Sequence, residues 1–464
     1  MNRYNNYALS LLYYPGLILA FLYLLSLPAP EGLTLPAYHT LLVAAAAVVL
    51  WTSEVLPTGL TGGIVILLLI LIGASASISE ALVGFSQPVI FFLMGVFTIA
   101  IAVERVGLAE RIGRFFLRLS GGRSGALFWC MVLSFPPLAL VMPSSNSRSI
   151  VLAEVFDRTF SLTGVERGAP ITRAVMMALL SLNRLASTAL LTGGMTSIVA
   201  ASLIGGMGWG RWFLLLSVPY YLTLLISSMS LYFWYLRGEN IRLILPEESN
   251  NAARKGEFRT VLVVFMASAL WLSDPLHGLH PAVPAMMAWA ILLAPRIGVL
   301  SWSDFESNFS WSTFFLIGAS LSLGWTMSHT GAAKWLALML LHLAPAVAEH
   351  PYFLYAAILI VSVPIRILVP NITGYLAITI PIAVEIGQGA GLSPLVCALG
   401  VLVMGDSILF YAAQSPGSVA VYERGHLSAG EVFRFGVFMT IVAFVTTMTA
   451  SLLWWRIVGV AWRM

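Results

Sequence analysis

Apolar stretches follow one another along almost the whole chain. They lie at roughly 7–27, 37–56, 59–73, 87–103, 125–142, 150–160, 171–191, 195–206, 212–236, 259–273, 281–295, 311–327, 335–347, 352–369, 374–387, 392–411 and 432–455. A helix needs about 20 apolar residues to cross a hydrocarbon core of about 30 Å. Several stretches fall short of that, and the short ones sit in pairs around polar breaks. The breaks run from Pro143 to Ser149, Thr192 to Ser197, Pro370 to Gly374 and Gln414 to Ser418. Irregular backbone at membrane depth survives only where protein buries it or a cavity wets it. Interrupted segments at corresponding places in two halves point to a transport site.

The halves do correspond. Leu50-Trp51-Thr52-Ser53-Glu54 recurs as Leu270-Trp271-Leu272-Ser273-Asp274, and Phe91-Phe92-Leu93-Met94-Gly95 as Phe314-Phe315-Leu316-Ile317-Gly318. Val106-Gly107-Leu108-Ala109 recurs as Thr330-Gly331-Ala332-Ala333, and the three shifts are 220, 223 and 224 residues. This predicts a duplicated unit: an N-terminal span at 1–36, a first repeat at 37–236, a charged linker at 237–258 and a second repeat at 259–464. Lys and Arg then set the orientation, because cytoplasmic loops carry the excess. Seventeen fall on one side and four (Arg211, Lys334, Arg456, Arg463) on the other, provided that 125–160 enters from the cytoplasm and returns and 352–387 does so from outside. The expected fold is an all-α membrane protein with an inverted repeat, 11 transmembrane helices, two opposed re-entrant hairpins and two broken helices.

Composition agrees with this and excludes much else. Of 464 residues, 59% are hydrophobic and 9% charged, whereas a soluble protein carries about 25% charged residues. A soluble globule, a nucleic-acid binder and a disordered chain are ruled out. The net charge of +4 reflects arginines in loops. Cys130 and Cys397 lie inside apolar runs and read as small core residues. Glu54 and Asp274, related by the repeat, read as helix-end anchors. The histidines have no metal-ligand spacing, and neither a phosphate-binding loop nor a Ser-His-Asp arrangement occurs, so no enzyme and no cofactor are expected.

The chemistry concentrates at the hairpin tips. Ser144, Ser145, Asn146 and Ser147 form the first, with Arg148 beside them; Asn371 and Thr373 form the second. A helix end at such an apex offers N–H groups and the positive end of a dipole to an anion, and free carbonyls to a cation. Asn, Ser and Thr add donors and acceptors without charge. Arg148, Arg184 and Arg366 lie within spans, each at about 2.5–3.5 kcal/mol if placed at a bilayer centre. Either backbone carbonyls and Asp406 neutralise them, or they line one cavity. With Asp406 they would leave two excess positive charges, matched to a divalent anion that Arg grips bidentately.

These residues carry a resemblance. Gln87-Pro88-Val89-Ile90-Phe91, Glu104-Arg105-Val106-Gly107-Leu108, the Ser145-Asn146-Ser147 tip, Ser415-Pro416-Gly417 and Tyr422-Glu423-Arg424-Gly425-His426-Leu427-Ser428 make the chain similar to the divalent-anion/sodium symporter family over 37–460. The resemblance implies transport of di- or tricarboxylates or sulfate by elevator-like alternating access in a homodimer. It places Ser145, Asn146, Ser147, Asn371 and Thr373 at the substrate and Gly193, Gly194, Ser415 and Pro416 at the helix breaks, with Thr196 beside the first break. Where the family has Ser-Asn-Thr at the second tip, this chain has Pro370-Asn371-Ile372. Arg148 replaces the family's alanine, and Arg366 replaces a hydroxyl that helps to bind sodium. The expectation is a multi-pass protein of a bacterial inner membrane, carrying a small anion with sodium as the candidate coupling ion or by sodium-independent exchange. The alternatives are sodium symport, a cation/proton antiporter that titrates Asp406, and an intramembrane enzyme acting on a lipid-linked anion.

Overall fold

The computed structural model describes residues 3–53, 56–142, 144–205, 207–239, 241–244, 256–343 and 345–463. Glu54, Pro143 and most of the linker expected at 237–258 lie outside them. The described residues are helical apart from turns, loops and two isolated bridges, Arg123 with Arg242 and Leu392 with Arg463. In chain order the first half holds α1 (Arg3–Ser26), α2 (Leu35–Ser53), α3 (Thr58–Leu71), α4 (Pro88–Val106), α5 (Leu108–Leu119), α6 (Ser124–Val141), α7 (Ser145–Thr163), α8 (170–188), α9 (Met195–Ile204) and α10 (Trp209–Leu236). The second holds α11 (Glu257–Leu272), α12 (Ala282–Leu293), α13 (Trp311–His329), α14 (Ala332–Leu343), α15 (Pro351–Leu368), α16 (Ile372–Gly389), α17 (Pro394–Ser407), α18 (Pro416–Tyr422) and α19 (Ala429–Ile457). Seven of these, α2, α4, α6, α10, α15, α16 and α19, are long and apolar enough to cross a membrane.

The order of elements repeats. A long apolar helix (α4, α13) leads into a shorter one (α5, α14). A helix–break–helix pair follows (α6/α7, α15/α16), then an interrupted helix (α8/α9, α17/α18) and a long final helix (α10, α19). Helix α5 places Arg111, Arg114 and Arg118 on one face and Leu108, Ile112 and Leu119 on the other, the pattern of a helix lying in the membrane interface. Packing in the apolar layer depends on small residues, since lipid offers no hydrophobic drive for helices to associate. Helices α4 and α12 approach so closely at Gly95 that a methyl group there would lie 2.2 Å from the Ala285 carbonyl oxygen.

Two details differ from the apolar pattern. Helix α7 starts at Ser145, five residues before its apolar run, because the Ser144 side chain accepts from the Ser147 N–H and caps a polar first turn. Helix α8 contains a π-helical turn at Ala178–Leu182, which re-aims the residues that follow it. Asp274 accepts from the Gly210 N–H at the start of α10 (3.2 Å), the anchoring role read from sequence. At the other end of α4, Arg105 pairs with Asp304. Hydrogen bonds from Ser301, then the Arg105 pair, hold the Asp304 carboxyl at about 2.

Candidate functional site

The first apex is the break between α6 and α7. Ser145, Asn146 and Ser147 open α7 half-buried, with the unpaired N–H groups that any helix start leaves. The Asn146 Oδ1 accepts from the Ser415 hydroxyl (2.8 Å) and the Gly417 N–H (3.2 Å). Its amide nitrogen keeps no protein partner among the described residues and is not sealed off. The tip is therefore tied to the second interrupted helix, where Pro416 starts α18, and still has a donor to offer. A methyl group on Gly417 would lie 2.8 Å from the Asn146 Cα. Gly417→Ala should push tip and break apart, lowering stability by about 1–3 kcal/mol and transport with it. Thermal unfolding and uptake measured on the same preparation check this.

Arg148 stands one turn into α7 and is 1% exposed. Its guanidinium donates to the Met142 carbonyl at the end of α6, to the Ser187 hydroxyl and to the Asn183 Oδ1 (Nε, 3.2 Å). The Asn183 amide nitrogen donates in turn to the Ser145 carbonyl (3.0 Å) and the Ser149 hydroxyl (2.9 Å). A permanent cation thus lies on the carbonyl end of the first apex, enclosed by neutral groups that the π-turn of α8 brings into place.

The second apex has the same logic. Asn371 caps α16, its Oδ1 accepting from the N–H of Thr373 (2.9 Å) and Gly374 (3.4 Å). The Thr373 hydroxyl is buried without a partner among the described residues, a group that wants a ligand. Arg366, fully buried, donates to the carbonyls of Val369 (2.8 Å), Pro370 (2.6 Å) and Gly405 (3.0 Å). The carbonyls before them are also taken: Arg366 by the Gln414 amide (3.1 Å), Ile367 by the Tyr411 hydroxyl (2.9 Å) and Leu368 by the Thr52 hydroxyl (2.6 Å). A helix end normally leaves such carbonyls open; here side chains close them all from 366 to 370.

Arg184 is the least satisfied of the three arginines. Its Nε and Nη2, like the Nη2 of Arg366, are enclosed with no hydrogen-bond partner among the described residues, and Arg184 keeps some exposed surface. It lies in the field of Asp406. Asp406, 1% exposed, accepts from the Thr188 hydroxyl at 2.7 Å. Among the described residues no ion pair joins Asp406 to an arginine. Gly193 and Gly194 form the first helix break, where a methyl group on Gly193 would lie 1.9 Å from the Ser187 carbonyl oxygen. Thr196 follows in the first turn of α9, which packs along α16.

Sequence reading named the arginines but not Asn183 and Ser187, the neutral partners of Arg148, nor the Gln414, Tyr411 and Thr52 side chains as the groups that close the carbonyls before the second apex. The signal available was Asn183 beside Arg184 in the middle of an apolar run. It also passed over a partly exposed charge link along α7, where the buried His426 pairs with Asp157 (2.8 Å) and Arg424 bridges Asp157 and Glu154 (3.1 and 2.8 Å).

The sequence profile of the sodium:sulfate symporter transmembrane region matches residues 9–461. The chain is 22% identical to the chloroplastic dicarboxylate transporter 2 of Spinacia oleracea, over 96% of this chain and 81% of that protein. It is 22% identical to the inner membrane protein YbhI of Escherichia coli, over 94% and 95%. It is 25% identical to the L-tartrate/succinate antiporter of Shigella sonnei, over 82% and 81%. Among solved structures, MtrF of Neisseria gonorrhoeae superposes with TM-score 0.55 at 10% identity, covering 93% of this chain and 97% of that one. The YdaH transporter of Alcanivorax borkumensis gives 0.52 at 13%, covering 82% and 87%. At these identities the structural likeness concerns the fold alone.

Proposed function

This chain belongs to the sodium:sulfate symporter family, and from that premise we propose that it exchanges small dicarboxylates across a membrane without sodium. The observation that carries the proposal is the pair of guanidinium groups on the carbonyl ends of the two apices. Interrupted helices of secondary transporters use such carbonyl ends to coordinate sodium. Here Arg148 holds Met142, and Arg366 holds Val369, Pro370 and Gly405. A guanidinium remains charged at any working pH and supplies the positive charge that a bound cation would.

The anion then rests between the helix starts of α7 and α16. The amide nitrogens of Asn146 and Asn371, the hydroxyls of Ser145, Ser147 and Thr373 and the unpaired N–H groups of Arg184 are its donors, while the Ser415 hydroxyl, spent on the Asn146 Oδ1, holds the first tip in place. Arg148 and Arg366 act through the field, from behind the apices. Resident cations cannot be released at each cycle, so no ion gradient is coupled through them. Returning an empty carrier would move uncompensated charge, at about 2.3 kcal/mol per charge per 100 mV, so exchange outruns net uptake. The names of the plant and Shigella relatives support a dicarboxylate, and the family supports a homodimer working as an elevator on inverted repeats.

The test is uptake into proteoliposomes. Vesicles loaded with unlabelled succinate should take up labelled succinate at equal rates in sodium and choline, and empty vesicles should take up far less. Uptake into empty vesicles that needs sodium points instead to symport, and uptake driven by a proton gradient to the antiporter that titrates Asp406. Topology is tested separately. A cysteine at Arg254 (outside the described residues) should label only from the cytoplasm, and one at Lys334 only from outside. Labelling of both from one side overturns the inverted arrangement.

A further inference from the structure

The end of the chain builds a groove unrelated to the apices. After α19 the backbone turns back, and Trp462 accepts from the Ser393 N–H (3.0 Å). The Trp462 ring packs against Tyr352 and Tyr355, each at 5.1 Å. Beside it lies a cavity of about 640 Å³ walled by Met448, Leu452 and Leu453 and lined at its other end by Arg456 and Arg463. Both arginines are exposed, and neither guanidinium has a hydrogen-bond or ion-pair partner among the described residues. The Trp462 indole N–H also lacks an acceptor among the described residues.

We propose that this groove binds an anionic phospholipid. Its two ends ask for different chemistry in one molecule. The apolar wall continues into the lipid-facing surface of α19, where Leu453 and Ile457 are 62% and 66% exposed, and this suits an acyl chain. The two guanidinium groups suit a phosphate, which they can hold bidentately. Trp and Tyr gather at the level of the headgroups, where Trp462 and Tyr352 frame the groove. In the topology proposed above, Arg456 and Arg463 are two of four basic residues on the outer side, so a counter-charge must come from the membrane or the solvent. A free phosphate would leave the apolar wall unmatched; a lipid satisfies both ends.

The experiment is native mass spectrometry of the purified full chain with dioleoylphosphatidylglycerol, dioleoylphosphatidylcholine or glycerol 3-phosphate. Wild type should retain phosphatidylglycerol about thirtyfold better than phosphatidylcholine, on the scale of two surface cations, and should not retain glycerol 3-phosphate. The R456Q/R463Q double variant should lose that preference. R456K/R463K should keep part of it, and R211Q, which neutralises an exposed arginine elsewhere, should keep all of it. Monodisperse gel filtration of each variant reports that it is folded. Undiminished preference in R456Q/R463Q overturns the proposal, as does loss in R211Q or equal retention of phosphatidylcholine. Retention of glycerol 3-phosphate as strong as that of the lipid would overturn it in favour of a simple anion site.

Discussion

Arg366→Ser should convert a protein indifferent to sodium into one that needs it. The substitution removes the donor from the carbonyls of Val369, Pro370 and Gly405. By leaving buried carbonyls without a donor it costs about 1–3 kcal/mol for each. It also leaves three carbonyl oxygens from two helix ends around one space, with a hydroxyl beside them, and such oxygens are sodium ligands in interrupted helices. In choline buffer the variant should melt several degrees lower than wild type and bind dicarboxylate at least tenfold more weakly. In sodium much of both losses should return. Thermal shift and equilibrium binding on purified protein in the two buffers measure this. A variant equally weak in both would show that the freed carbonyls do not take the ion. A tenfold gain for wild type in sodium, about 1.4 kcal/mol, would return the chain to sodium symport.

Asn146→Ala and Asn371→Ala should each abolish exchange, but the informative variants are the aspartates. The Asn371 oxygen caps α16, and losing a cap costs about 1 kcal/mol. Asn371→Asp keeps the capping oxygen, removes the amide donor and faces the substrate with a negative charge. It should melt like wild type and fail to bind the anion. Asn146→Asp likewise keeps the acceptor for Ser415 and Gly417. If either aspartate variant transports normally, the amides do not touch substrate and the site lies elsewhere.

Hydropathy located the apices and the interrupted helices because polar residues at membrane depth stand out against an apolar background. It also raised the question of what neutralises Arg148 and Arg366, leaving carbonyls, Asp406 and substrate as answers. The structure answers with carbonyls and neutral side chains: Asn183 and Ser187 for Arg148, and the ends of α15 and α17 for Arg366. No residue code marks a carbonyl. Which one is free depends on where a helix stops, and Asn183 reaches Arg148 only after a π-turn that hydropathy does not register. Asp406 was read as a partner for arginine; it accepts from Thr188 and lies in the field of Arg184 and Arg366, with no ion pair to either among the described residues. The start of α7 was placed late because a serine cap lets polar residues be helical.

The two apices are braced as well as charged. Asn146 is tied to Ser415 and Gly417, Arg148 to Asn183, and Arg366 to Gly405, so each hairpin is bolted to an interrupted helix. A mould braced in this way keeps its width. A diacid one carbon longer would have to part the two tips, and every bond across the brace resists that. In the proposed site, selection by chain length thus belongs to the frame and not to any one side chain that touches the acid. Widening the range of acids carried means loosening a brace, and the charge balance held behind it loosens too.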